Sequence, residues 1–182
     1  MLQCYDLSIM DFSYPIGKFA WPKTVAPELR PQLIDQIAAA PARTRDAVRG
    51  LDDRQLDTPY RPEGWTVRQV VHHLPDSHAN SYIRFRLALT EDEPLIKPYD
   101  QGKWAALEDA RTAPIEPSLQ ILEGLHCRWV TLLRSLSDAD FARTFRHPKL
   151  GVLRLDTNLA LYAWHGRHHE AHITGLRQRM GW

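Results

Sequence analysis

Four of the nine histidines in this 182-residue chain fall within the eight residues His165 to His172. The run reads Trp164-His165-Gly166-Arg167-His168-His169-Glu170-Ala171-His172, inside a segment with the periodicity of a long helix. Helical residues three and four apart share a face. His165 and His169 are therefore one turn apart, as are His168 and His172, and either pair offers two imidazoles to one metal ion. A third ligand must come from elsewhere, and His72, His73 and His78 form the obvious donor region. At about 100° per residue, Leu155, Leu159, Tyr162, Ile173, Leu176 and Met180 make one apolar stripe, with Asp156, Arg167, Thr174 and Gln178 opposite. His169 falls near the middle of that stripe and His165 on its shoulder. His172 lies beside His165, while His168 lies well round the side. The inward pair is thus His165 and His169, and two inward histidines a turn apart form a common ligand geometry.

The elements that must position these rings follow from the rest of the pattern. Leu29, Leu33, Ile34, Ile37 and Ala38 predict a first helix from about residue 27 to 49, with Pro41 expected to break or kink it and Gly50 closing it. Thr66 is the expected N-cap of a second helix, which carries Val67, Val70, Val71 and Leu74, then Tyr82 and Phe85. Pro75 is expected to bend that helix or force a bulge. His78 lies nearest its apolar centre, His73 on the edge and His72 nearly opposite, and a bulge would shift the phase between them. Periodicity therefore leaves His73 and His78 unranked. A proline-punctuated crossover over residues 93–117 holds a short helical piece around Trp104. A third long helix spans residues 118–136 and a short turn of helix ends at Phe141. A small hairpin joins residues 144–147 to 152–155, and Asp156 or Thr157 then caps the histidine helix, which stops at Gly181. The sum is an all-α four-helix bundle with a long crossover and a small β-hairpin before the last helix. Residues 1–25 are read as irregular and packed on the body of one domain, 1–182.

Composition narrows the partners. With 23 basic and 22 acidic residues the formal net charge is +1, which gives no electrostatic case for nucleic acid or a membrane surface. Neither a signal peptide nor a membrane span is recognisable, and Cys4 and Cys127 make no C-x-x-C pattern and read as reduced thiols. The expected location is the cytoplasm. Cys127, in an apolar helix, is read as inert packing, and Trp129 and Trp164 as core residues.

Several longer runs resemble a known family. Trp65 to Leu74 (WTVRQVVHHL), Asp76-Ser77-His78, Ser81 to Phe85 (SYIRF), Ser13 to Gly17 (SYPIG), Asp57 to Arg61 (DTPYR), Pro98-Tyr99-Asp100, Trp164-His165 and Arg179 to Trp182 (RMGW) are similar to the DinB-like superfamily, especially its YfiT-type metal-dependent hydrolases. The resemblance runs over nearly the whole chain from Ser13. It implies a four-helix bundle, a homodimer, and one zinc or nickel ion per chain held by three histidines, which fall on His73, His165 and His169. It departs at Gly166, where serine is usual, and at Pro75, where alanine is.

Three neutral nitrogen ligands leave an open position on zinc, where bound water ionises near a pKa of about 7. The chemistry expected is hydrolysis of a small molecule by that metal-bound water. The alternatives are transfer of a low-molecular-weight thiol onto an electrophile, and a structural metal closed by a fourth ligand, His172 or His78. A metal-free bundle with core histidines stands third. Glu170 reads first as a solvated acid and second as a general base. Asp76 and Asn80, a turn or two beyond His73, read as groups able to orient a ligand nitrogen, Asp76 equally as an ordinary surface acid, and His78 and His172 are held in reserve as ligands.

Overall fold

The computed structural model describes residues 12–182; Cys4 lies outside them. Helix α1 (Arg30–Val48) follows a single 3-10 turn, and α2 (Asp53–Leu56) leads to α3 (Val67–Thr90). The crossover carries α4 (Gln101–Ala105) and α5 (Glu108–Thr112). Then come α6 (Glu116–Ser135), α7 (Asp138–Ala142), strands β1 (Thr144–His147) and β2 (Gly151–Arg154), and α8 (Leu155–Met180). Helices α1 and α3 each pack on both α6 and α8, so the four long helices form a bundle with α1 and α3 diagonally opposed. The crossover packs α4 and α5 onto α3.

Local chemistry starts and stops these elements. Thr66 Oγ1 accepts the Gln69 amide at 3.2 Å while Gln69 Oε1 accepts the Thr66 amide at 2.9 Å, satisfying orphan donors at the head of α3. Asp52 with Gln55 does the same for α2, and Asp100 caps α4. Gly50 and Gly181 take left-handed backbone at φ 77° and 70° just past α1 and α8, where a side chain would be strained. Contrary to expectation, neither Asp156 nor Thr157 caps α8: the N-cap is Arg154, with no side-chain cap bond. Asp156 is instead fully buried and accepts Arg154 Nη2 at 2.7 Å.

Neither internal proline breaks its helix. Pro41 and Pro75 both lie inside unbroken helices and both are buried. Each removes one main-chain hydrogen bond, and the packing of the flanking turns in the bundle holds the helix through it. In α1 the carbonyl freed by Pro41, that of Ile37, accepts His126 Nδ1 at 2.7 Å.

The hairpin pairs Thr144 with Arg154 and His147 with Gly151, one residue earlier on the second strand than expected. Phe145 points from it into the core formed by Phe85, Trp129, Leu155 and Leu159, all fully buried. A second apolar cluster of Val67, Val70, Leu119 and Ile173 fills the other end of the bundle. No helix among the described residues is long and apolar enough to cross a membrane.

Candidate metal centre

The three rings His73, His165 and His169 meet between α3 and α8, and one nitrogen of each lies within 4.8 Å of the others. His73 Nε2 stands 3.3 Å from His165 Nε2. Two nitrogens each about 2.0–2.1 Å from one tetrahedral ion are separated by about 3.3 Å, so this pair already has the spacing of shared ligands. Ring centroids are 4.8 Å apart for His73 and His169 and 4.6 Å for His165 and His169. The continuity of α3 decides between the candidates on that helix. Without a bulge at Pro75, His73 and His78 are about 140° apart at 100° per residue; both reach His165, on opposite ring nitrogens, and His73 is the one grouped with His169 as well.

Burial sets the charge of the rings. It lowers His73 to a pKa of about 4, helped by the nearby His168 imidazole. His165 and His169 are driven well below the ordinary histidine range, by burial first and then by their neighbouring imidazoles. All three are neutral at pH 7, the state in which a ring nitrogen donates a lone pair to a metal. His73 and His169 are buried and His165 is part-buried. On that ring's edge Ser77 Oγ lies 3.5 Å from His165 Nε2 and 3.3 Å from the Tyr162 hydroxyl. Trp65 forms a wall, 4.8 Å from the His73 ring and near-parallel to His169 at 6.3 Å. Burial pushes the Tyr99 phenol up, with its hydrogen bond to Ser77 opposing that shift.

The remaining sequence-derived candidates fall elsewhere. His78 lies behind the centre, with Nε2 3.1 Å from His165 Nδ1 and Nδ1 2.8 Å from His126 Nε2. His172 stacks on Tyr60 at 3.9 Å and its Nε2 lies 3.3 Å from the Ser13 carbonyl. Asn80 does not reach a ligand; its amide nitrogen donates to the Asp76 carbonyl one turn back at 2.9 Å. The Asp76 carboxyl is half-buried and hydrogen-bonds to none of the three rings, and burial, with Asp109 beyond it, raises it to about 6. Glu170 is not a solvated acid: it is buried and accepts Arg43 Nε at 2.8 Å from α1. Cys127 is exposed rather than packed, while Trp129 is fully buried as expected. His72 and His168, placed by periodicity on outward faces, are buried too, the first by Ser118 and Ala113 and the second by Trp164 and Tyr14.

One residue near the centre went unassigned in the sequence. His126 is buried in α6 with a partner on each ring nitrogen. Its position in the stripe Leu122, His126, Trp129, Leu133, a polar ring amid apolar ones, was the available signal.

A four-helix bundle with three histidines converging from two helices defines a class of candidate metal proteins. The chain belongs to the DinB superfamily, whose profile matches residues 36–173. A protein of Bacillus mycoides strain KBAB4 is 54% identical over 172 residues, covering 94% of this chain and 99% of its own, and is named "Putative metal-dependent hydrolase". One of Bacillus cereus strain B4264, with the same name and coverage, is 53% identical. Among solved structures, YfiT from Bacillus subtilis superposes with a TM-score of 0.92 at 50% identity, over 95% of this chain and 99% of its own. It is described as a probable metal-dependent hydrolase with an unusual four-helix bundle topology. TT2238, a four-helix bundle protein, shares the fold at 18% identity, with a TM-score of 0.54 over 84% of this chain.

Proposed function

We infer that this chain is a metal-dependent hydrolase of a small molecule, in which His73, His165 and His169 hold one divalent ion, zinc or nickel. The observation that carries this reading is the convergence of three neutral ring nitrogens within 4.8 Å of one another. A divalent ion on three imidazoles supplies Lewis acidity and lowers the pKa of water to about 7. The chain's own groups do the rest. The Ser77 and Tyr162 hydroxyls, next to His165 Nε2, are donors for a polar substrate group, and the Trp65 wall excludes water from one side. The engagement of His78 with His165 and His126, and of His172 with Tyr60, disfavours a closed four-histidine structural site. The same reading takes the protein as a cytoplasmic homodimer whose whole chain works as one metal-binding domain.

The test is metal analysis of protein purified without a histidine tag. One equivalent per chain is expected, and its loss in His169→Ala. The holo protein is then assayed on activated esters, activated amides and thiol-plus-electrophile pairs. Absence of stoichiometric metal overturns the reading, and turnover confined to the thiol pairs replaces hydrolysis with thiol transfer.

A further inference from the structure

Behind the three-histidine centre a row of hydrogen bonds crosses the bundle from α8 to α1. His165 Nδ1 lies 3.1 Å from His78 Nε2, His78 Nδ1 lies 2.8 Å from His126 Nε2, and His126 Nδ1 lies 2.7 Å from the Ile37 carbonyl oxygen. Its far end fixes the direction of every bond. A carbonyl only accepts, so His126 must donate from Nδ1. Almost wholly buried, His126 and His78 disfavour the charged, doubly protonated ring. His126 Nε2 therefore carries a lone pair, and His78 must donate to it from Nδ1. His78 Nε2 then carries a lone pair in turn, and His165 must donate from Nδ1. The Ile37 carbonyl has a free acceptor site because Pro41, four residues on, has no N–H to return to it.

We propose that the Ile37 carbonyl, His126 and His78 form a one-way relay that holds His165 as its Nδ1–H tautomer, keeping its Nε2 lone pair aimed at His73 and His169. His78 and His126 are thus positioning residues, and Pro41 frees the acceptor that sets their sense. The proposal rests, for its functional meaning, on the metal reading above; the tautomers themselves do not.

Two-bond proton–nitrogen correlation spectra of the imidazoles in the full chain, as purified and after zinc addition, test the tautomers directly. His126, His78 and His165 are expected in the Nδ1–H form in both samples. An Nε2–H form at His165 overturns the relay even in a protein that binds zinc, whereas the expected tautomers in a protein that binds no zinc leave the relay standing and remove the metal reading. Zinc affinity, measured by competition with a chelator, gives a second arm. His126→Phe breaks the row and should weaken zinc binding by about 10–100-fold. His126→Gln, whose amide oxygen reaches the position of Nε2 and accepts from His78, should restore most of it. Unchanged affinity in His126→Phe, or an equal loss in His126→Gln, overturns the proposal. Should either variant fail to fold, the spectra of the unaltered chain decide.

Discussion

Gly166 sits one turn before Glu170 in α8, with its backbone against α1. A Cβ built there would lie 3.4 Å from the Ala40 Cβ, 3.8 Å from His78 Cε1 and 3.9 Å from Glu170 Oε1. That carboxylate oxygen is buried and has no hydrogen-bond partner among the described residues, while Oε2 accepts Arg43. A serine hydroxyl, one bond beyond Cβ, comes within the usual O–H···O range of about 2.5–3.0 Å. A hydrogen bond to a charged acceptor contributes about 1.5–3 kcal/mol. Replacing a mid-helix glycine adds about 0.5 kcal/mol for serine and about 0.9 for alanine. The close approach to Ala40 costs both variants roughly 1 kcal/mol. Gly166→Ser should therefore be stabilised by about 1–2.5 kcal/mol, and Gly166→Ala should be near neutral. For a chain of this length that is a rise in Tm of roughly 2–10 °C for serine alone. The assay is thermal and denaturant unfolding of the three proteins at pH 8, with the carboxylate ionised. If Gly166→Ser proves no more stable than Gly166→Ala, the hydroxyl does not find Glu170 and the reasoning fails.

Two further outcomes are expected. Burial lowers His126 to about 4, with the Ile37 hydrogen bond opposing and Arg43 assisting, so the unfolded chain takes up a proton first as pH falls. The stability this neutral ring confers is complete above the ordinary pKa of about 6.5 and is lost toward pH 4; at pH 5 the loss is roughly 2 kcal/mol. Unfolding free energies between pH 7.5 and 5 should thus fall about 2 kcal/mol further in the wild type than in His126→Gln, and parallel curves would contradict it. At the head of α3, Thr66→Ala removes the acceptor of the Gln69 amide and should cost about 1 kcal/mol, read as a drop of about 2–4 °C in Tm.

What the sequence could show was governed by distance along the chain. The pair His165 and His169 was legible because both lie on one helix, where a spacing of four fixes a common face. The choice between His73 and His78 was not, because it turned on whether Pro75 breaks α3, and that depends on packing rather than on the proline itself. The outward placement of His72, His168 and Glu170 failed for a related reason. A helical wheel assumes one buried stripe, but α8 is covered by α1, α3, α7 and the hairpin, with Tyr14 and Phe19 against its histidine run. The short helices and the N-terminal segment that do this covering carry weak periodicity of their own. His126 needed contacts 48 and 89 residues distant to acquire a meaning.

The two inward histidines of α8 are therefore not equivalent, although they share a face. His165 is tied at Nδ1 to a row of bonds ending on a main-chain carbonyl, which fixes the orientation of its ring. His169 Nδ1 is buried without a hydrogen-bond partner among the described residues, as are His168 Nδ1 and His172 Nδ1 on the same helix. Uncompensated burial of a ring nitrogen is costly, and it falls on the side of α8 lying against Tyr14 and the Ser13 carbonyl. The rigid side of the centre is thus built into the bundle.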